Sequence, residues 1–305
     1  MKVLTTILLS LLFPLMLQAQ PFAQRWMSHP LGGTTQHVWF RQNITLNDQP
    51  CWAELNVCTT GRIDIYVNER NISTDVLIPH REGNSHEAIN TSFDVTPFLH
   101  KGDNSIAIWY APTTPMATDR QVAVRLNGHY TDGTEFSLRS DSGWICRYAN
   151  RQTTASGEQI DADSYRMKWC SDDIDWALWS PVRISNDGVG AIDRQFDDDY
   201  VADKVVRIKN QSFFDVEKNA VYYEFGSSFN GWIRVTLRST RRGQRFTIDN
   251  LSYTCKGQTD EQAYHKFTSG SHRRVCIKGD RYFKPEQIFS VEAIEIAPYK
   301  HTFLP

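Results

Sequence analysis

Apolar and polar residues alternate with a period of two along most of this chain, and apolar stripes at helical spacing are nearly absent. Ile63, Ile65 and Val67 alternate with Arg62, Asp64 and Tyr66; Ile106 and Ile108 alternate with Ala107 and Trp109; Val122, Val124 and Leu126 repeat the pattern. Farther on, Val221, Tyr223 and Phe225 alternate with Tyr222 and Glu224, and Ile233, Val235 and Leu237 face away from Arg234, Thr236 and Arg238. Successive side chains of a strand point to opposite faces, so this pattern predicts strands with one buried face. Turn chemistry separates the runs at Lys101-Gly102-Asp103-Asn104, Thr131-Asp132-Gly133-Thr134 and Arg241-Arg242-Gly243-Gln244. Many short strands at this spacing predict an all-β fold of two β-sandwich domains.

The first residues break the alternation. Lys2 precedes an apolar run from Val3 to Leu17, interrupted by Pro14, and Leu17-Gln18-Ala19 has the small-residue end of a cleavage site. This predicts a signal peptide over residues 1–19, because the run is short of the roughly 20 apolar residues a membrane span needs. No Cys follows the cut to take a lipid, and no second such run occurs. The expectation is a secreted or periplasmic chain with no membrane segment after cleavage. Its 286 remaining residues, of 305, suffice for two domains. The boundary is expected in the acidic, weakly apolar stretch 186–203, with Asp187-Gly188, Gly190 and Asp197-Asp198-Asp199. It divides a sandwich at 20–185 from one at 204–305.

Charge removes one class of partner. Lys plus Arg is 33 against 35 for Asp plus Glu, with no basic block, so a nucleic-acid backbone is not expected. The six cysteines are Cys51, Cys58, Cys146, Cys170, Cys255 and Cys276. An oxidising compartment would let them pair. Zinc is the weaker reading, since no two stand two to four residues apart. Cys255 with Cys276 is the expected disulfide, flanking a polar excursion of 20 residues. Cys51 and Cys58 would sit roughly 20 Å apart on one strand, at a rise of ~3.3 Å, and are not expected to pair with each other. The alternative is six thiols used as small hydrophobes.

Three stretches resemble the N-terminal half of bacterial α-L-rhamnosidases. The first runs from Trp39-Phe40-Arg41 through Gly61-Arg62-Ile63-Asp64-Ile65-Tyr66-Val67-Asn68, Asp75-Val76-Leu77-Ile78-Pro79 and Phe93-Asp94-Val95-Thr96-Pro97-Phe98-Leu99 to Gly102-Asp103-Asn104-Ser105-Ile106. It is similar to the galactose-binding-like jelly roll that opens those enzymes, and to sandwiches of the β-galactosidase superfamily. The second, Ile160-Asp161-Ala162-Asp163-Ser164-Tyr165 with Trp176-Ala177-Leu178-Trp179-Ser180-Pro181-Val182, resembles the close of that domain. The third, from Tyr222 through Gly226-Ser227-Ser228-Phe229-Asn230-Gly231-Trp232 to Arg234, resembles the Gly-Trp motif of the family's next sandwich. The sequence departs from the family at Pro79-His80-Arg81-Glu82-Gly83-Asn84, where a Pro-Gly-Trp-Thr loop is usual, and at Phe289-Ser290-Val291-Glu292-Ala293, where Gly-Phe-Arg is usual. The resemblance implies that the inverting carboxylates belong to an (α/α)₆ barrel following these sandwiches, and the sequence ends at Pro305, where that barrel would begin.

The residues themselves are thin in catalytic signals. No nucleophile elbow, P-loop, zinc-helix motif or dinucleotide glycine motif occurs. Inverting hydrolysis needs two carboxyls about 6.5–9.5 Å apart, one with a raised pKa. Asp161 with Asp163, Asp172-Asp173-Asp175 and Asp197-Asp198-Asp199 are the candidates, but neighbours two apart on a strand are ~6.6 Å apart by its rise alone. The resemblance also implies a structural Ca²⁺, for which Asp161 and Asp163 are the first choice against their ordinary use as turn formers.

Sugar rings stack on aromatic faces, and nine Trp and twelve Tyr are available. Trp39, Trp52, Trp109 and Trp232 sit inside alternating strands and read as packing. Trp144, Tyr165, Trp169, Trp176 and Trp179 lie in less regular segments, where a ring can face a ligand or equally the core. Asp75, His80, Arg81 and His86 follow the strand ending at Val67, and Asn230 precedes Trp232. Arg81 with His80 and His86 would suit hydroxyls or an acidic sugar, against the alternative of a solvated loop. Five Asn-x-Ser/Thr sequons, at Asn43, Asn71, Asn90, Asn210 and Asn250, read as incidental. The expectation is an exported, non-catalytic carbohydrate-binding accessory protein. Its partners would be an oligo- or polysaccharide, rhamnose-containing by the resemblance, and a glycoside hydrolase polypeptide. The alternatives are a rhamnosidase-like hydrolase, or one half of a split one, and a structural interaction module.

Overall fold

The computed structural model describes residues 25–33, 35–81, 87–115, 121–166, 168–171, 174–186, 192–193 and 201–300. The expected signal peptide, His86 and most of the expected connector at 186–203 lie outside them, although Val201–Asp203 of that connector open a strand. The described residues are all-β, with 23 strands and four short 3-10 turns among them. No helix among the described residues is long and apolar enough to cross a membrane.

The alternation builds the first core directly. A seven-stranded sheet orders Arg183–Ser185, Trp26–Ser28, Val122–His129, Trp52–Thr59, Ile89–Asp94 and Ile192–Asp193, with Glu135–Arg139 on Val122–His129. Its Leu55, Val57, Val124 and Leu126 meet Phe40, Ile63, Ile65, Ile106 and Ile108 from Gln36–Leu46, Arg62–Val67 and Gly102–Ala111, all buried. Trp52 corrects its expected place in packing. It stands out of phase with Ala53, Leu55 and Val57, is 42% exposed, and lies over the His129 ring at 5.6 Å.

The second sheet has 16 strands and runs through both halves of the molecule. Ile145–Thr154 turns back as Gly157–Asp161, which pairs in parallel with Leu251–Thr254. Gly157 is needed there: its φ is +140°, and a Cβ would run into the Asn250 carbonyl oxygen. Beyond the seam a second core gathers Val221, Phe225, Ile233, Val235, Phe246, Ile248, Val275, Ile277 and Val291. The 19-residue strand Ala220–Arg238 organises it. Its first part pairs with Phe213–Glu217 and Gly270–Gly279, and its later part with Asp260–Tyr264 and Ile288–Lys300. The register with Gly270–Gly279 shifts between Glu224 and Phe229, so the Gly-Ser-Ser stretch is an irregularity across which that pairing resumes. Gly231, at φ +151°, lets the strand approach the Ile294 carbonyl oxygen where a Cβ would clash.

The expected disulfide does not form, and Cys255 and Cys276 are both thiols. Leu251–Thr254, Arg245–Ile248 and Gly270–Gly279 are neighbours in that order. Cys255 exchanges backbone bonds near Gln244, at one end of the middle strand, and Cys276 accepts from Asp249 at the other. Two strand spacings of ~4.8 Å already exceed the roughly 4.4–6.8 Å Cα separation a disulfide spans. Cys255 is instead part of the second core.

Candidate functional site

The parallel seam carries a buried polar cluster. Glu158, on Gly157–Asp161, points its carboxylate into the loop that follows Asp260–Tyr264 in the other half. Its Oε1 accepts the backbone N–H groups of Lys266, Phe267 and Thr268 at 3.0, 2.9 and 2.8 Å, and the Thr268 hydroxyl at 2.9 Å. Its Oε2 meets Arg151 Nη1 at 2.8 Å. Burial alone would raise this carboxyl's pKa, but Arg151, His37, His265 and the backbone N–H donors hold it well below the usual carboxylate range. Arg151 also donates to the Tyr264 carbonyl at 2.8 Å and lies over the Tyr264 and Trp109 rings. Lys266 pairs with Asp64 and sits 5.2 Å from the Trp109 ring centroid. Burial opposes the Lys266 charge, yet Asp64, Tyr66 and Tyr264 raise its pKa above the ordinary lysine value.

Above this cluster, between the two halves, is a cleft of about 390 Å³. Small-molecule sites typically measure about 300–1,000 Å³. Tyr66, Trp109 and Tyr165 line it from one half, Tyr253 and Tyr264 from the other. The Trp109 and Tyr165 rings lie 6.5 Å apart, inclined by 32°. Burial pushes the Tyr66 phenol up to about 12, Lys266 opposing, so it stays a neutral donor. Three polar atoms on lining residues are buried without a hydrogen-bond partner: Trp109 Nε1, Arg151 Nε and Asn150 Oδ1. Each unmet buried group costs about 1–3 kcal/mol. Two N–H donors and one carbonyl acceptor of the lining residues thus stand unmet beneath the surface of the cleft.

The carboxylates at this cleft are already engaged. Asp64 pairs with Lys266, and Asp260 with Arg238 at 2.7 Å. Glu261 accepts the Tyr253 hydroxyl at 3.0 Å and the backbone N–H groups of Lys256, Gly257 and Gln258. Glu158, Asp260 and Glu261 all have lowered pKa values, whereas a glycosidase general acid needs a raised one.

Of the residues expected from sequence, Tyr165 lines this cleft and Trp169 a smaller pocket beside it. Trp144 is not available to a ligand: it is fully buried in the first core, with Nε1 donating to the Arg139 carbonyl at 3.0 Å. Arg81 is buried too, its guanidinium bonded to the carbonyls of Thr59, Gly61 and Glu87. Asp75 pairs with Lys204 at 3.4 Å and His80 with Asp203 at 2.8 Å, both tying Asp75–Val76 and its loop to Val201–Asn210. Trp176 is 56% exposed, with the Arg41 guanidinium 5.8 Å from its ring centroid. Asn230 is exposed on Ala220–Arg238 opposite Ser271 and does not line the cleft. Asp161 caps a 3-10 turn by accepting Asp163 N–H at 3.1 Å, and Asp163 pairs with Arg242 at 2.5 Å. A carboxylate bound to a guanidinium is a poor start for a Ca²⁺ shell, and no group of three His, Cys, Asp or Glu side chains suited to a metal occurs among the described residues.

Sequence reasoning missed Tyr66, Trp109, Asn150, Arg151, Tyr253 and Tyr264. No local signal set Asn150 and Arg151 apart, since their strand continues as Gln152-Thr153-Thr154.

Residues 48–199 match the family model described as the Alpha-L-rhamnosidase N-terminal domain. An α-L-rhamnosidase of Formosa agariphila is 22% identical over 290 residues, covering 79% of this chain and 30% of the relative. The α-L-rhamnosidase structure from Dictyoglomus thermophilum superposes with a TM-score of 0.74 at 18% identity, over 88% of this chain and 32% of that one. The Streptomyces avermitilis α-L-rhamnosidase, solved with L-rhamnose, gives 0.72 at 19%, over 86% and 28%. The chain thus spans less than a third of each of these relatives, and the structural likeness is one of fold.

Proposed function

We infer, from a chain that matches the N-terminal β-sandwich region of α-L-rhamnosidases, that it binds a saccharide in the Trp109–Tyr165 cleft without cleaving it. The observation that carries this reading is the coincidence, in one cleft between the two halves, of five aromatic residues with the polar side chains of Asn150, Gln258 and Gln262. Aromatic faces suit sugar C–H groups, and the side-chain amides of the lining suit hydroxyls. Support for binding rather than hydrolysis comes from the surrounding carboxylates, which are paired and lowered in pKa. L-Rhamnose-containing glycans are the first ligands to test, because a matching rhamnosidase was solved with L-rhamnose. The proposed setting is outside the cytoplasm, on the strength of the Lys2-to-Ala19 pattern, with the chain acting as an accessory to glycoside hydrolases.

Titration calorimetry against rhamnose-containing and unrelated oligosaccharides tests the reading. Tyr165→Ala and Asn150→Ala are expected to weaken binding by about tenfold or more each, roughly the 1.4 kcal/mol of one good contact. Absence of binding to every sugar on a glycan array overturns it. Steady release of aryl alcohol from an aryl α-L-rhamnoside overturns the non-catalytic part alone.

A further inference from the structure

Three of the five residues of the strand Phe213–Glu217 are large and apolar, yet all five are exposed. The strand pairs with Ala220–Arg238 on one side, and among the described residues no strand pairs with its other side. Such an edge presents unpaired N–H and C=O groups, which natural sheets usually blunt with Pro or Lys. This strand has neither.

Beside the edge, the second sandwich is open. Phe214 and Val216 from the edge strand, with Ile288 and Phe289 from Ile288–Lys300, line a groove of about 390 Å³ that reaches Val221 and Tyr223 of the second core. The Phe214 and Tyr223 rings are 6.0 Å apart. Phe213, Phe214, Val216 and Phe289 are each at least 50% exposed. A half-exposed Phe shows on the order of 100 Å², so together they approach the few hundred Å² of the largest apolar patch on most monomers, and such patches mark interaction sites.

A groove bordered by an unsatisfied strand edge suits an extended polypeptide, which offers backbone groups to the edge and alternate side chains to the groove. Two features disfavour a second copy of this chain. Antiparallel self-pairing over all five residues sets Asp215 against its own copy, and like charges directly opposite are destabilising. The patch is also short of the roughly 800 Å² per partner of a standard interface. Side chains alternate along a strand, so Asp215 and Glu217 lie on the face opposite Phe214 and Val216. Across the ladder they meet Tyr222 and Ala220. Arg274 and Lys278 stand one strand farther on, and Arg274 pairs with Glu224 at 3.5 Å. An incoming strand therefore gains from basic residues on that face.

We propose that Phe213–Glu217 receives an extended segment of another protein, its apolar residues seated in the groove and the alternate, basic ones beside Asp215 and Glu217. This interface lies apart from the Trp109–Tyr165 cleft and does not depend on the saccharide reading.

The test uses the full chain and synthetic nine-residue peptides alternating Val with Lys or Val with Glu, followed by fluorescence anisotropy. The Val–Lys peptide is expected to bind about tenfold tighter than the Val–Glu one, and Asp215→Lys, at an exposed position, to reverse that order. Two further Val–Lys peptides are N-methylated, one at the Val nitrogens and one at the Lys nitrogens. Only one set of alternate N–H groups faces an edge, so one methylated peptide should bind and the other should not. The proposal fails if neither unmethylated peptide binds, or if both methylated forms bind alike, which makes the groove a mere apolar sink. It also fails if sedimentation shows a dimer that Asp215→Lys disperses, which makes a second copy the occupant.

Discussion

The Glu158 carboxylate accepts the backbone N–H of Phe267 at 2.9 Å, across the seam between the two sandwiches. The same oxygen takes Lys266 and Thr268, and the other meets Arg151, so one side chain from the first half organises a loop of the second.

Glu158→Gln leaves Arg151 buried beside a neutral group and removes the anion the three N–H groups surround. Breaking a buried pair on one side costs about 3–5 kcal/mol, and the denaturant midpoint should fall accordingly. The sign with pH follows from the lowered folded pKa. The carboxylate's contribution is complete above the unfolded value of about 4.3 and is lost as pH falls below it toward the folded one. Acid unfolding of the wild type should therefore be steeper than that of the variant. Equal slopes would contradict this account.

His265 gives a second, separable pH dependence. Its Nε2 lies 2.7 Å from Asn250 Oδ1, Nδ1 is buried without a partner, and burial lowers its pKa to about 4. The unfolded chain takes up this proton near pH 6.5, the folded chain only near the lower value. Stability is lost between those values as pH falls. His37, buried and lowered to about 3 for the same reason, adds to the trend. A thermal midpoint that declines from pH 7 to 5, and less so in His265→Gln, is the expected result.

Trp144 and Trp176 separate core from surface. Truncating the fully buried Trp144 to Ala should destabilise by about 3–5 kcal/mol. Trp176→Ala, at an exposed position, should stay within about 0.5 kcal/mol. Chemical denaturation of the two variants side by side decides it.

Thiol accessibility checks the register of the second half. Cys51 is exposed, while Cys146 and Cys255 are buried, with their thiols pushed up to about 12 by that burial. Cys51 should label fast in the native protein, and all six should label on unfolding. A Cys255–Cys276 crosslink found by non-reducing mass spectrometry would refute the register described.

The strands were legible because solvent and core impose a period the sequence must obey locally: Ile63, Ile65 and Val67 are buried as their alternation requires, and so are Ile233, Val235 and Leu237. Trp52 was misread only by ignoring phase, since Ala53 and Leu55 already claim the inward side. Trp144 was misread because an irregular backbone does not imply an exposed side chain; a turn can still drop an indole into the core. The cleft was beyond reach for a different reason. Trp109 and Tyr165 meet Tyr253 and Tyr264 only through the parallel register of Glu158 with Leu251, and no local pattern encodes which distant strand will lie alongside. The pocket beside Trp169 is similar, since Arg147 and Arg166 both line it from positions 19 apart in the sequence.

On the proposed saccharide reading, that shared seam ties recognition to the assembly of the two halves. A fragment carrying Trp109 and Asn150 has half a pocket, and one carrying Tyr253 and Tyr264 the other half. A ligand seated between them acts as a third strut, adding its own affinity to the cohesion of the pair and raising the melting midpoint with concentration.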